Sequence, residues 1–215
     1  LLNQDWWKIR NLEVTSGVPP KLEYGRQGIV ALVEGRDNHI GHIEITNCYI
    51  HDIWGQLGGD SLYTGYNSSA IYAGRSMGRN SGGSADDILI ENNRIERVDR
   101  CGIIVIGGTY NIVVRGNSIE NLGGDGIFVN GCIRGLIEYN VAKRTCMHSG
   151  DPDLVLKSSS YNPHTAAIWI QNCIETVMQF NEVYDTGRQK GNGDGNAYDF
   201  DFECKDCIAQ YNYSR

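Results

Sequence analysis

Four prolines in 215 residues, no excess of basic charge and no long apolar run define this sequence first by what it lacks. The apolar runs are too short for a membrane-spanning helix. With 19 Lys and Arg against 26 Asp and Glu, the formal charge is −7, and no basic stripe remains to neutralise a phosphate backbone. Nucleic acid is therefore not an expected partner. Seven cysteines cannot all pair, and their placement points to packing in a core more than to a disulfide framework. No basic segment followed by an apolar one opens the chain, so an export signal, if there was one, has been removed. What is abundant is glycine, with 27 residues, together with asparagine beside short β-branched runs, a strand-and-turn composition that predicts an all-β fold.

Laying the chain on itself exposes two alternating motifs. One is a small residue followed by alternating apolar positions, as in Gly28-Ile29-Val30-Ala31, Ala70-Ile71-Tyr72-Ala73, Gly102-Ile103-Ile104-Val105, Gly126-Ile127-Phe128-Val129, Ala167-Ile168-Trp169-Ile170 and Ala197-Tyr198-Asp199-Phe200. The other leads an apolar pair into asparagine, as in Ile88-Leu89-Ile90-Glu91-Asn92-Asn93 and Val177-Met178-Gln179-Phe180-Asn181. Asn93 to Asn117 is 24 residues and Asn117 to Asn140 is 23, too short for a strand–helix–strand unit and suited to three short strands joined by turns. One such coil cannot bury its apolar face alone. Stacked coils would align Ile71, Ile103, Ile127, Ile168 and Tyr198 in one internal column, with asparagine tolerating a left-handed corner and bonding along the stack. Cys132, Cys173 and Cys204 fall in one register and are expected to stack, reduced and buried. Cys204-Lys205-Asp206-Cys207 has no second cysteine or histidine pair to complete a zinc site, so no metal is assigned there. The chain starts and stops inside coils, so residues 1–215 read as a single β-helix domain that is a portion of a longer protein.

Insertions at 54–69, 145–165 and 187–195 precede small-residue strands, and a fourth at 75–85 follows one. Insertions in a solenoid gather on one face, which is usually the binding face. Two-residue alternation then sets the outward residues of these strands. Phe128 and Trp169 share a column, either as an aromatic platform for a sugar face or as packing beneath an insertion. Asn130 and Gln171 form the next column and offer hydrogen bonds to hydroxyls. Tyr72, Arg75, His148 and Lys157 complete the candidate substrate-binding set. Gly124-Asp125-Gly126 reads as a turn into a strand.

In the last coil Tyr198, Phe200 and Phe202 are expected inward, leaving Asp199, Asp201 and Glu203 on the outer face. Asp is uncommon on exposed strands, and carboxylates at alternate positions repel. Residues two apart on a strand lie about 6.5–7 Å apart. That falls within the span of about 5–9.5 Å used by glycosidase carboxylate pairs. Repulsion raises the pKa of one member, giving a proton donor beside a base or nucleophile. The same oxygens could instead hold calcium.

With TAAIWIQNCIETVMQFNEV and NAYDFDFECKDCIAQYNYS in view, the chain resembles the pectate-lyase-like right-handed parallel β-helix proteins, especially bacterial ones acting on polysaccharides. The resemblance covers the whole chain as a coil pattern. It implies a groove along one parallel sheet, often with acidic catalytic or calcium-binding residues. The chain departs from the polygalacturonase and pectate lyase signatures, so neither mechanism carries over. The resulting expectation is a secreted, periplasmic or cell-surface glycoside hydrolase acting on a polysaccharide or oligosaccharide with no required cofactor. Its alternatives are a calcium-assisted polysaccharide lyase, with Lys157, Arg75 or His148 as base, and a non-catalytic glycan-binding adhesin.

Overall fold

The structure is a computed structural model and describes residues 1–17, 26–55, 68–75, 82–147, 165–187 and 195–215. Strands are numbered in chain order and fall into three parallel ladders. The first comprises β3 (Gln27–Val33), β6 (Ser69–Arg75), β9 (Cys101–Tyr110), β12 (Ile127–Ile133), β15 (Ala166–Gln171) and β18 (Asn196–Phe200). The second comprises β1 (Lys8–Arg10), β4 (His39–Thr46), β7 (Ser84–Glu91), β10 (Val113–Arg115), β13 (Leu136–Glu138), β16 (Val177–Gln179) and β19 (Ile208–Gln210). The third comprises β2 (Glu13–Gly17), β5 (Tyr49–Ile53), β8 (Arg94–Val98), β11 (Ser118–Leu122), β14 (Val141–Lys143), β17 (Glu182–Tyr184) and β20 (Tyr213–Ser214). Each coil after the first contributes one strand to each ladder, and the first contributes β1 and β2 with an isolated bridge from Leu2 to Leu32, which is a parallel β-helix.

Backbone pairing aligns like with like. Ile29, Ile71, Ile103, Ile127, Ile168 and Tyr198 are successive register partners, as are Ala31, Ala73, Val105, Val129, Ile170 and Phe200. The isoleucines of the first column are buried, and each buried side chain contributes roughly 1.5–3 kcal/mol of transfer free energy. The expected internal column is thus present and extends back to Ile29. The small residue that opens each strand has a steric cause where it is glycine. A Cβ on Gly126 would lie 2.5 Å from the carbonyl oxygen of Ala167, and one on Gly102 2.6 Å from that of Gly126.

The asparagine motif becomes a buried ladder. Nδ2 of Asn93 donates to Oδ1 of Asn117 at 3.0 Å, Asn117 to Asn140 at 2.9 Å, Asn140 to Asn181 at 3.0 Å and Asn181 to Asn212 at 3.0 Å. Each oxygen also accepts the backbone N–H of the preceding asparagine, and Cys48 N–H donates to Asn93 at the start. One expectation is corrected. The left-handed corner is occupied by the residue before each ladder asparagine, namely Asn92, Gly116, Tyr139, Phe180 and Tyr211. The ladder asparagines are selected for their paired donor and acceptor instead.

Candidate active site

The outward column of the first ladder runs Val30, Tyr72, Ile104, Phe128, Trp169, Asp199, each paired in register with the next. It is apolar until β18, where a carboxylate stands beside Trp169. Phe128 and Trp169 stack with ring centroids 3.9 Å apart and planes 12° from parallel. They are only 1% and 5% exposed, within a second apolar cluster that includes Tyr72, Ile104 and Ile106. Of the two readings offered by the sequence, the structure displays packing and not an open platform. Tyr72 turns its hydroxyl to the Arg75 carbonyl at 2.5 Å, and Arg75 Nε donates to the Gly83 carbonyl at 2.6 Å. Three strands, β9, β12 and β15, separate these two residues from β18. In the next column Asn130 Nδ2 donates to Gln171 Oε1 at 3.1 Å, and Asn172 Nδ2 to Asn130 Oδ1 at 3.0 Å. His148 and Lys157 lie outside the described residues.

The acidic strand is only partly as expected. Phe200 keeps the register of Ile170 but is 37% exposed, because β18 is the edge of its sheet. The regular strand stops there. The Asp201 amide still donates to the Ile170 carbonyl, yet the next contact skips a residue, with Asn172 N–H meeting the Phe202 carbonyl. That extra residue turns Phe202 outward, 72% exposed, and puts Glu203 in a left-handed corner at φ 58°. Asp199 and Asp201 therefore stay beside Trp169 and Gln171, whereas Glu203 leaves the strand face. Among the described residues, the group of three whose ligand atoms come within 4.8 Å of one another is His42, Asp86 and Asp87, on the second ladder.

Beneath Trp169 lies a residue that the sequence reading left in a turn. Asp125 is fully buried. Its Oδ1 accepts the indole N–H of Trp169 at 3.0 Å and the Ala166 amide at 3.1 Å. Its Oδ2 accepts the Cys101 thiol at 3.1 Å and faces Arg100 Nη2 at 3.4 Å, itself 2% exposed. This is a buried, paired carboxylate that fixes the indole next to Asp199. The available signal was a charged residue in the register of Cys101 and Ala166, where burial demands a partner. Nearby Asp99 is also buried; its oxygens make no hydrogen bond of ordinary geometry, and burial pushes its carboxyl up to about 8 against an opposing pull from the Gly55 backbone.

All seven cysteines are unpaired, five of them buried. Cys132, Cys173 and Cys204 align across neighbouring coils, since Ile133 pairs with Ile174 and Ile174 with Lys205. Cys204 and Cys207 are half-exposed, and their thiols donate to the carbonyls of Ile170 and Cys173.

The chain belongs to the right-handed β-helix family, whose model, described as a right handed beta helix region, matches residues 1–160. Within that fold it is similar to a lacto-N-biosidase of Bifidobacterium longum subsp. longum, 28% identical over 253 aligned positions that cover 98% of this chain and 15% of the relative. It is also similar to the crystal structure of a GH136 lacto-N-biosidase from Eubacterium ramulus as a selenomethionine derivative. That match has a TM-score of 0.73 and 20% identity, and covers all of this chain and 38% of the other. The native crystal form matches with a TM-score of 0.68 over 96% of this chain and 37% of the other. The chain thus spans only a small part of the length of these relatives.

Proposed function

We propose that this chain is the catalytic β-helix portion of a glycoside hydrolase that cleaves glycosidic bonds of an oligosaccharide carrying a lacto-N-bioside unit. The observation that carries the reading is the 28% identity to a lacto-N-biosidase across 98% of this chain. Asp199 and Asp201 are the proposed carboxylate pair. One donates a proton to the glycosidic oxygen as that bond breaks, and the other supports attack on the anomeric carbon as nucleophile or base. Trp169 and Gln171 are the residues beside them, with Trp169 held by Asp125. Such hydrolysis needs water and no cofactor. The proposal includes export; separately, no helix among the described residues is long and apolar enough to cross a membrane. No finding favours the lyase or the adhesin.

The test is incubation of the complete polypeptide with a chromogenic lacto-N-bioside and with a uronate polymer, each with and without chelator. Chelator-insensitive release of a reducing disaccharide is the expected result. An unsaturated product, or no cleavage by protein shown to be folded, would overturn the proposal.

A further inference from the structure

The second ladder carries a site that the hydrolase reading does not use. Trp6, His42 and Asp87 occupy consecutive left-handed corners, at φ 63°, 54° and 46°. Two positions further along, Lys8, Glu44 and Leu89 face outward in register from β1, β4 and β7. Between these two columns lies a cavity of about 260 Å³, lined by those six side chains. Drug-sized pockets begin at roughly 300 Å³, so this one suits a single small ring.

Trp6 is an unusual wall. Left-handed backbone disfavours a bulky side chain, yet the conformation is held by the Trp6 N–H donating to the Gly41 carbonyl at 3.0 Å while Asp5 Oδ1 accepts the Gly41 N–H at 2.7 Å. The indole stacks on His42, with centroids 3.7 Å apart, and remains 74% exposed. Leu89 adds a second apolar surface.

The charges around the cavity largely cancel. Glu44 accepts from Lys8 at 2.7 Å and from Arg10, and these bonds hold its carboxyl below the usual range. His42 Nδ1 lies 3.4 Å from Asp87 Oδ2. An aromatic wall beside paired donors and acceptors matches a pyranose, which has a C–H face and a rim of hydroxyls. Lys8 and Arg10 are both engaged by Glu44, so neither is set aside for the carboxylate of a uronate. We infer that this pocket binds one neutral pyranose unit and so anchors a glycan away from Asp199, which lies on another ladder in β18 of the last coil, whereas β1, β4 and β7 belong to the first three. This does not depend on the hydrolase reading.

Calorimetric titration of the complete polypeptide with methyl β-galactoside and N-acetylglucosamine, with sodium glucuronate and calcium chloride as comparisons, tests the site. At least one neutral sugar should saturate with a Kd on the order of 1–10 mM. Trp6→Ala and Asp87→Ala should each weaken that binding about tenfold or more, while Asp199→Asn leaves it unchanged. Trp6→Ala should also leave turnover of a small chromogenic glycoside unchanged. The inference fails if neither neutral sugar saturates by roughly 50 mM, if folded Trp6→Ala and Asp87→Ala proteins bind as the parent does, or if glucuronate or calcium binds more tightly than either sugar.

Discussion

The indole nitrogen of Trp169 donates to Asp125 Oδ1 at 3.0 Å, joining residues 44 apart in sequence and tying the column that ends in Asp199 to a buried carboxylate. The same carboxylate faces Arg100, so the charge of each is balanced where water cannot reach.

Asp125→Ala should be more damaging than Asp125→Asn, although both leave Arg100 without its carboxylate partner. Alanine removes the carboxylate partner of Arg100 and the acceptor of Ala166 and Trp169. Breaking one side of a buried pair costs about 3–5 kcal/mol. Asparagine also removes the charge and turns an NH2 toward Arg100, so it shares that cost; it keeps an oxygen for the two N–H donors and should lose less than alanine by about 1–3 kcal/mol. Urea unfolding followed by far-ultraviolet circular dichroism measures the difference; equal losses would show that the acceptor geometry contributes nothing.

Asp199→Asn and Asp201→Asn should each preserve the unfolding midpoint and lower turnover on a chromogenic lacto-N-bioside by a factor on the order of 100 or more. Glu203→Gln should stay within about threefold of the parent, because Glu203 is exposed in a corner off the strand face. Steady-state kinetics decides between the three, and a crippled Glu203 variant with an active Asp201 variant would reassign the pair.

Asn140→Ala should destabilise by about 2–4 kcal/mol, since it leaves a buried backbone donor and a buried carbonyl without their partners. Oδ1 of Asn140 accepts both the N–H and Nδ2 of Asn117, and its own Nδ2 donates to the Val114 carbonyl. Asn212→Ala should cost less, because Asn212 is half-buried. Chemical denaturation of both variants provides the comparison.

Asp99 predicts a pH dependence of stability. Its carboxyl sits at about 8 in the fold against an ordinary value of 3.8. Below the ordinary value both states are protonated and its contribution is fully present. As pH rises from about 4 the unfolded chain ionises while the folded one cannot, so stability is lost progressively until about pH 8. Asp99→Asn should remove that loss and gain on the parent between pH 5 and 8. Melting temperatures across this range test it; parallel curves for the two proteins would refute it.

The coil pattern was legible because in-register stacking repeats the same demand at each level. The column from Ile71 to Tyr198, the asparagine period and the cysteine alignment all follow from spacing alone. What spacing could not show was where regularity ends. Two-residue alternation carried past Phe200 put Glu203 on the strand face, whereas an extra residue in the backbone turns it away. Nor does alternation distinguish outward from exposed, so it put Phe128 and Trp169 on the correct face and left platform or packing open until their burial decided it. Asp125 was missed because its meaning lies in Arg100, Cys101 and Trp169, which reach it from other coils.

The cysteine arrangement bears on where such a protein can survive. Disulfide exchange and oxidation proceed through the thiolate. Burial holds the thiols of Cys146 and Cys173 up at about 12 and raises those of Cys101 and Cys132. At neutral pH a thiol near 12 is ionised in only about one molecule in 10⁵. These four thiols are therefore compatible with an oxidising compartment: the interior protects them kinetically, and folding must precede oxidation for that protection to exist, whereas the half-exposed Cys204 and Cys207 lie outside it.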